Sequence, residues 1–464
     1  MKNNKLGVLA KDTGLFAINS FGSKILMFLL TPVYTALLTT EEYGIADLIT
    51  ATINFTYPLL TLAIADATLR FALDAGSDKS KVLCNSLLVT VISIIVLSAL
   101  FPLVVLANIP LREWWVIFVI IYALFNIHNC VSSFIKGIGA TRLFAIQGIV
   151  QTIIIIISNI VLLVFFRKGI EGYLISIMLG YGIPIILMLF WNQAGKYIIK
   201  CNIDVKLIKE MLVYSIPMIP ALLAWAINTN IDKYMIIEFI NIGASGIYSI
   251  AHKIPAIFES IIAIFIQAWQ LSSIRNYGCE DEKVYYTSVY NILSVFCLLI
   301  CLLIMLVNKR ISSFLFAKDF YEAWKCVPLL TVSAMFSSMA GFLNSAFRAS
   351  KQTKCIFKSA LWGVMINLIL NWFLIKHIGI IGAAFATSIS FFVIWLCRMI
   401  MVQNIISIVI NKPVTVFSYV LFILSALFST IDNKYKSELI IISIILIFII
   451  NFKDLKNSLL DLKK

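Results

Sequence analysis

Fourteen apolar segments divide this chain of 464 residues, and they constrain its fold more than any other feature. Each holds about 20 residues, the length that an α-helix needs to cross the hydrocarbon core of a bilayer. The connections are short and leave no room for a soluble catalytic domain. The sequence therefore predicts an all-α polytopic membrane protein. We place its helices at residues 13–38, 46–69, 82–107, 114–136, 143–166, 170–191, 213–237, 244–271, 286–307, 327–347, 356–375, 379–402, 414–431 and 437–452.

The composition and the loop charges support this class. Apolar residues make up 61% of the chain and charged residues 13%, which excludes soluble, secreted and disordered proteins. The formal net charge of +14 would suggest nucleic-acid binding in a soluble protein, but here 24 Lys and Arg lie on the side of the termini and 10 on the other. Because cytoplasmic loops are rich in these residues, we expect both termini in the cytoplasm and no nucleic-acid partner. Loop 308–326, with four basic residues, argues against this orientation.

Cysteines, histidines and the N-terminus add three negative expectations. The nine cysteines form no C-x-x-C pair, and the three histidines lie on different helices. We therefore expect neither a disulfide nor a metal site. The first apolar segment has no A-x-A-like cleavage site, so we expect it to be retained as a helix.

The chain contains an internal repeat. Three short motifs recur in the same order and at corresponding helix positions, and six helices per repeat is an even number, so the two copies run parallel across the membrane. This pattern predicts two parallel six-helix bundles, a transporter architecture, followed by two additional helices. We expect an N-terminal bundle over 1–191, a cytoplasmic linker over 192–211, a C-terminal bundle over 212–402, and the extra helices and a cytoplasmic tail over 403–464. The paired motifs are Glu42-Tyr-Gly-Ile-Ala with Ser245-Gly-Ile-Tyr-Ser, Gly139-Ala-Thr-Arg142 with Lys351-Gln-Thr-Lys354, and Gly169-Ile-Glu-Gly172 with Gly379-Ile-Ile-Gly382.

A lysine lies deep in the first predicted helix. At 1.5 Å per residue, Lys24 is about 16 Å inside it, near the bilayer midplane. An ammonium group at that depth costs about 2.5–3.5 kcal/mol. Ser20 lies on the same helix face, one turn earlier. We expect a water-filled cavity at this face; the alternative is a packing lysine paired with an acid.

The seventh predicted helix carries a polar face. Trp225, Asn228 and Asp232 share one side of it, and Lys233 follows. Asp232 and Lys233 could line a cavity or form an interfacial pair near the helix end. Trp225 could stack on a sugar or simply pack.

The eighth predicted helix carries three more charged or titratable residues. His252 and Glu259 face one way, and Lys253 lies about 100° around the helix from His252. Pro255 lies between them and predicts a kink beside the charges. The alternative is an internal His–Glu or Lys–Glu pair that serves packing alone.

Together these residues predict a cationic cavity for an anionic substrate with a polar body, such as a diphosphate-linked lipid that carries a glycan. Lys and Arg would bind the phosphates, and an acid or His in a low-dielectric cavity could couple transport to an ion. Arg70, at the end of the second helix, could instead be an interface anchor. The candidates are Lys24, Lys253, Lys233 and Arg70 for the diphosphate, Ser20, Trp225 and Asn228 for the glycan, and Asp232, Glu259 and His252 for ion coupling.

Several degenerate motifs are typical of one transporter family. They are Gly14-Leu-Phe-Ala-Ile-Asn-Ser-Phe-Gly-Ser-Lys24-Ile-Leu, Pro32-Val-Tyr34, Glu41-Glu-Tyr-Gly-Ile-Ala-Asp47, Ile231-Asp-Lys-Tyr234, Gly246-Ile-Tyr-Ser-Ile-Ala-His-Lys-Ile-Pro255, Phe320-Tyr-Glu-Ala-Trp324 with Pro328-Leu-Leu, and Lys351-Gln-Thr-Lys354. With them the chain resembles the Wzx-type polysaccharide flippases of the multidrug/oligosaccharidyl-lipid/polysaccharide (MOP) exporter superfamily. The resemblance implies two six-helix bundles in a V, as in MATE and MurJ proteins, with a cavity lined by helices 1, 2, 7 and 8. Lys24 and Lys253 match basic residues of related lipid II flippases, where Arg is usual, so a point charge replaces a bidentate fork.

The resemblance also implies a function. We expect a flippase, not an enzyme, in the bacterial inner membrane, which moves undecaprenyl-diphosphate-linked oligosaccharide repeat units to the outer leaflet by alternating access. Polysaccharide polymerase and chain-length proteins are the implied protein partners. No cofactor is expected beyond H⁺ or Na⁺ as a coupling ion. The alternatives are a cation-coupled multidrug antiporter, which would prefer an acidic cavity, a lipid II flippase, and a membrane enzyme, which would need catalytic acids or a large external loop.

Overall fold

The computed structural model describes residues 22, 24–74, 76–106, 111–190, 194–199, 202–279, 281–350, 352, 354–409 and 411–462. These residues form helices and no strand. Ten of the described helices are long and apolar enough to cross a membrane, or eleven if a bent pair counts as one span. The all-helical polytopic class is therefore confirmed, while the number fourteen stays a prediction. The chain divides into two compact units, residues 1–227 and 228–464.

The N-terminal unit places a helix on each of the first six expected segments, as far as they are described. Two pairs of buried polar side chains lie inside it: Thr68 donates to Ser86 at 2.6 Å, and His128 Nε2 lies 2.8 Å from Gln147 Oε1. Such pairing removes the cost of a polar group buried away from water. Its helices are α1 (Lys24–Leu37), α2 (Thr40–Leu60), α3 (Ile64–Leu73), α4 (Lys79–Ala99), α5 (Phe101–Leu106), α6 (Trp115–Gly137), α7 (Thr141–Phe165), α8 (Gly169–Phe190), α9 (Ala194–Ile199) and α10 (Val205–Ser215).

The second expected helix is broken. One continuous helix was predicted over residues 46–69, but α2 and α3 meet at an angle of 61°. Leu62 and Ala63 form the break with left-handed φ values of 53° and 54°. Pro58, in the last turn of α2, lacks the N–H that would continue the helical hydrogen bonds, which weakens the helix just before the break.

The expected linker holds two short helices, α9 and α10, and packs on the N-terminal unit. Asp204 caps α10 by accepting hydrogen bonds from the backbone N–H groups of Lys206 and Leu207 at 3.1 and 3.2 Å. Its carboxylate also accepts a hydrogen bond from Lys81 Nζ of α4 at 3.0 Å. The Lys81 ammonium, followed by the backbone N–H of Leu207, holds the pKa of the Asp204 carboxyl below its usual value.

The cysteines contradict the expectation at one position. Cys84, on α4, is disulfide-bonded, although no disulfide was predicted. The prediction was wrong because sequence spacing detects only pairs that are close along the chain. Seven other cysteines are free, namely Cys130, Cys279, Cys297, Cys301, Cys326, Cys355 and Cys397.

The C-terminal unit is built around α15, of which 83% of the most apolar stretch is buried. The last two helices join the same core, because Tyr419 of α17 lies 2.9 Å from Ser294 of α14 through their hydroxyls. An aromatic cluster of Phe336, Trp395 and Tyr419 completes this part of the core. The helices are α11 (Ile219–Phe239), which begins before the division between the units, α12 (Ile242–Ala251), α13 (Lys253–Asn276), α14 (Glu282–Leu315), α15 (Val327–Ala349), α16 (Lys354–Val402), α17 (Lys412–Thr430) and α18 (Lys436–Asp461).

The repeated Gly-Ile-x-Gly motif has the same local geometry in both units. Gly169 and Gly379 have φ values of 54° and 61°, which favour glycine. The second glycine of each motif packs against the helical segment that precedes it: a Cβ on Gly172 would lie 3.1 Å from the Leu162 Cβ of α7, and one on Gly382 would lie 2.4 Å from the Leu374 carbonyl oxygen, before the break in α16. A left-handed turn and a close helix approach thus explain why the motif recurs.

Candidate functional site

A buried carboxylate is the centre of the candidate site. Asp232 of α11 is 2% exposed. Its Oδ1 accepts a hydrogen bond from Asn371 Nδ2 at 2.6 Å, and its Oδ2 accepts bonds from the Tyr248 hydroxyl at 2.8 Å and the Thr387 hydroxyl at 2.5 Å. Asn371 Nδ2 also donates to Asn367 Oδ1 at 3.0 Å. We call Asp232, Tyr248, Asn367, Asn371 and Thr387 the Asp232 cluster.

Two chain reversals bring this cluster together. Asn241 caps α12 by accepting a hydrogen bond from Ala244 N, so that α12 turns back directly after α11. The second reversal lies inside α16, at Ile378 and Gly379, whose backbone angles are not helical. Asn371 and Thr387 flank this break and bind the same carboxylate, although a straight helix would separate them by about 24 Å. The break in α16 is therefore a condition for the cluster to form.

A second polar side chain lies on α11, one turn before Asp232. Asn228 is 8% exposed, and its Oδ1 lies 3.3 Å from the Ser390 hydroxyl, which donates to the Gly363 carbonyl at 2.8 Å. The structure therefore places Asn228 inside the C-terminal unit, on the same helix face as Asp232. Its predicted contact with a glycan stays a prediction.

The groups that contact Asp232 are neutral. Within the described residues its recorded hydrogen bonds come from two hydroxyls and one amide, and none comes from a cation. Two atoms of the neighbouring amides, Asn371 Oδ1 and Asn367 Nδ2, are buried and have no hydrogen-bond partner in the described part of the chain. A buried negative charge without a counter-charge is costly, so this arrangement favours either a proton or a small cation at the carboxylate.

The donor set also fits a hard cation. Carboxylate, amide and hydroxyl oxygens are the ligands that hard cations prefer. Asp232, Tyr248 and Thr387 carry three such groups, and the side-chain amides of Asn367 and Asn371 carry two more. The side chains that could hold Na⁺ at this position are thus all within one cluster.

The titratable residues of the next two helices lie at different distances from the cluster. His252 is half-buried at the junction of α12 and α13, with its ring centroid 4.8 Å from that of Tyr248. It therefore adjoins the cluster through Tyr248. Lys253 begins α13 and is half-buried, whereas Glu259 is exposed and does not belong to the Asp232 cluster.

The remaining predicted residues lie as follows. Lys24 is exposed on α1 and Arg70 is exposed in the last turn of α3, both in the N-terminal unit. Lys233 is half-buried on α11. Trp225 is 63% exposed. Ser20 lies outside the residues that the structure describes, and the binding roles of the others stay predictions.

Four members of the Asp232 cluster were missed by the sequence analysis. Asn367 and Asn371 are four residues apart in an apolar segment, a spacing that puts two amides on one helix face. This signal is visible in the sequence. Tyr248 and Thr387 carry no comparable signal, because each is a single hydroxyl, and a Thr hydroxyl in a helix usually bonds to a carbonyl of its own helix.

Comparison with solved structures shows the same fold. The chain is similar to the lipid II flippase MurJ in an inward closed conformation, with a TM-score of 0.70, 17% identity and coverage of 96% of this chain and 99% of that one. It is also similar to an inward-facing multidrug resistance MATE family transporter of the MOP superfamily, with a TM-score of 0.69, 13% identity and coverage of 84% and 98%. At these identities the likeness concerns the fold alone.

The sequence itself matches curated proteins and a family model. It is 27% identical to the uncharacterized membrane protein MJ1375 of Methanocaldococcus jannaschii over 254 residues, which are 51% of this chain and 60% of that protein. The match thus spans less than two thirds of the relative's own length. The model of the polysaccharide biosynthesis protein family matches residues 9–270, more than half of the chain. The chain, a multi-pass membrane protein with the fold of MOP transporters, belongs to the polysaccharide biosynthesis protein family.

Proposed function

We propose that this protein is a flippase for undecaprenyl-diphosphate-linked oligosaccharide, which it moves from the cytoplasmic to the outer leaflet for O-antigen, capsule or exopolysaccharide synthesis. The observation that carries the proposal is the match to a lipid II flippase fold over 96% of a chain that belongs to a polysaccharide biosynthesis family. In this proposal the protein works by alternating access. Lys24, Lys253, Lys233 and Arg70 would bind the diphosphate through charge-assisted hydrogen bonds.

The Asp232 cluster supports ion coupling by the same protein. In this proposal Na⁺ or H⁺ binds at Asp232, and His252, adjacent to Tyr248, senses its occupancy. Binding of one positive charge would neutralise the buried carboxylate and change the relative stability of two conformations of the C-terminal unit. The coupling ion thereby supplies differential binding energy to the transport cycle.

Deletion of the gene in its host tests the transport function. The expected result is a build-up of complete lipid-linked repeat units on the inner face of the membrane, because synthesis continues while export stops. Restoring the wild-type gene should clear them. Incomplete glycans, or no build-up, would instead indicate an enzyme of glycan assembly and would refute the proposal.

Reconstitution in proteoliposomes tests ion coupling. We expect a Na⁺ gradient or a pH gradient to accelerate transport of lipid-linked oligosaccharide, and Asp232→Asn to abolish that acceleration. Asp74→Asn is the matched control, because Asp74 is exposed and should leave coupling intact. Acceleration that persists in Asp232→Asn would remove Asp232 from the coupling mechanism.

The structural likeness to a MATE transporter makes a cation-coupled multidrug antiporter the second candidate. It predicts that the same proteoliposomes export cationic dyes in exchange for the coupling ion. A lipid II flippase predicts that the gene sustains growth of cells depleted of their own lipid II flippase. Either result, without transport of lipid-linked oligosaccharide repeat units, would replace the proposed substrate.

A further inference from the structure

An open pocket of about 410 Å³ lies in the C-terminal unit, where the end of α14 faces the start of α18. It is separate from the Asp232 cluster and from the predicted substrate residues. Its apolar wall includes Leu306, and the rest is polar. The residues that carry its chemistry are Lys309, Arg310, Tyr321, Asp432, Lys436 and Ser437.

The charge of this pocket is positive. Lys309, Arg310 and Lys436 contribute three cations and Asp432 one anion, a formal balance of +2. Lys309 Nζ lies 2.7 Å from Asp432 Oδ2. This ammonium lowers the pKa of the Asp432 carboxyl, so the carboxylate is ionised at neutral pH. Asp432 therefore neutralises Lys309, and Arg310 and Lys436 keep an excess of positive charge.

Lys436 is the unusual member of the pocket. It is only 8% exposed, and its recorded hydrogen bond goes to a neutral acceptor, the Ser429 carbonyl, at 3.3 Å. Its ammonium lies 4.9 Å from the centre of the Trp324 ring, and the Lys309 ammonium lies 5.3 Å from the same ring. Two cations thus share one buried indole. Cation–π contacts offset part of the burial cost, and an anion in the pocket would offset the rest.

The backbone at the start of α18 also contributes positive charge to the pocket. The helix α18 is 26 residues long and begins at Lys436, and its N-cap residue, Tyr435, makes no side-chain capping bond. The first N–H groups of a helix carry partial positive charge and are well suited to phosphate. The Arg310 guanidinium adds a fork that matches phosphate oxygens.

We propose that this pocket binds a phosphate group, supplied either by the headgroup of an anionic lipid or by free phosphate. The proposal does not depend on the transported substrate. It also accounts for Lys309 and Arg310, two of the four basic residues of segment 308–326 that opposed the orientation predicted from loop charges, because a phosphate site needs cations whichever side of the membrane it faces. Basic pockets at the ends of membrane helices are suited to lipid headgroups for the same electrostatic reason.

Native mass spectrometry of the purified protein tests the lipid source. The probes are phosphatidylglycerol, which is anionic, and phosphatidylcholine, which is zwitterionic. We expect preferential retention of phosphatidylglycerol, weakened about fivefold by Arg310→Gln or Lys309→Gln. Lys434→Gln is the matched control, because Lys434 is exposed in the connection between α17 and α18, near the pocket, and does not line it.

Thermal unfolding in inorganic phosphate tests the other source. A stabilisation by phosphate, relative to chloride at equal ionic strength, that disappears in Arg310→Gln would assign the site to free phosphate. Both variants change side chains at the pocket rim, so they test the site without removing buried Lys436. If Arg310→Gln and Lys309→Gln match the wild type with both probes, the proposal is wrong.

Discussion

At the scale of single residues, the central energetic feature is the balance at Asp232 between the cost of burying its carboxylate and the gain from its hydrogen bonds. Removing a carboxylate from water costs several kcal/mol. Hydrogen bonds to a charged group each return about 1.5–3 kcal/mol, and Asp232 accepts three from Asn371, Tyr248 and Thr387. Cost and gain are therefore of similar size, so the proton or Na⁺ that we propose to bind there would change the preferred state of the cluster.

Two buried tyrosines allow a matched test of this balance. Tyr248→Phe removes a donor to Asp232, and Tyr419→Phe removes a hydroxyl bonded to Ser294 in a neutral part of the same unit. Each should lower the free energy of unfolding by about 1 kcal/mol. Only Tyr248→Phe should also change the dependence of unfolding temperature on Na⁺ or pH. Identical ion responses of the two variants, measured in detergent, would contradict a role for the cluster in ion binding.

At the scale of elements, breaks in helices decide which side chains meet. The break in α16 depends on Gly379, whose φ of 61° and ψ of −143° lie in a region that is nearly exclusive to glycine. Thr387 follows this break and Asn371 precedes it. A different backbone conformation at Gly379 would therefore move both side chains away from Asp232. The break in the second span has a different origin, since Leu62 and Ala63 adopt left-handed angles without glycine. Such angles are strained for residues with a Cβ.

Substitution of Gly379 tests the first break. Gly379→Ala should destabilise the protein by about 1–3 kcal/mol, because alanine rarely adopts this conformation. Gly182→Ala is the control, since Gly182 lies inside α8 and a Cβ there would meet its nearest atom only at 4.0 Å. It should be neutral or stabilising by up to about 1 kcal/mol. Equal thermal stability of both variants would show that the turn does not depend on glycine.

Acidification tests the contact between α10 and α4. Because the pKa of Asp204 is lowered in the folded protein, its ion pair with Lys81 stabilises the contact above the unfolded value of about 3.9 and is lost as the pH falls through the folded pKa. We expect the distribution of distances between spin labels on α4 and α10 to stay constant from neutral pH down to about pH 5. Below about pH 4 this distribution should broaden. Lys81→Gln should broaden it at neutral pH already. A distance that is independent of pH in both proteins would exclude this ion pair as the stabilising contact.

At the scale of the whole molecule, the chain belongs to the polysaccharide biosynthesis protein family and has the same fold as a lipid II flippase. The Asp232 cluster is enclosed within the described C-terminal unit, whereas Lys24 and Arg70 are exposed. An enclosed acidic group and exposed cations suit different ligands, a small ion and a larger anion. Both are needed if transport of an anionic lipid is coupled to an ion.

Variants of Lys24 test the substrate part of this combination. Loss of one charge-assisted contact should reduce glycan export about tenfold or more in Lys24→Gln. Lys24→Arg should keep most of the export, since it keeps the charge. The measurement is surface polysaccharide in a deletion strain, with immunoblotting of membranes to show equal insertion. Wild-type export by Lys24→Gln would remove Lys24 from the mechanism.

Hydropathy and glycine placement predicted most of the apolar helices. A helix lies over every one of the fourteen expected segments, as far as they are described, and the boundary predicted between residues 375 and 379 coincides with the break in α16. These features are local, because the length of an apolar segment and the backbone freedom of glycine do not depend on distant residues. The bend at Leu62 and Ala63 was missed, since those residue types do not favour left-handed angles.

Only the tertiary structure decided which polar groups meet. Asp232 was recognised from the sequence as a carboxylate in an apolar helix, but Asn371 and Thr387 lie 139 and 155 residues further along the chain. Likewise, Lys309 meets Asp432 across 123 residues. Hydrophobicity places helices in a bilayer through local composition, whereas hydrogen bonds and ion pairs depend on how those helices pack, and no single segment carries that information.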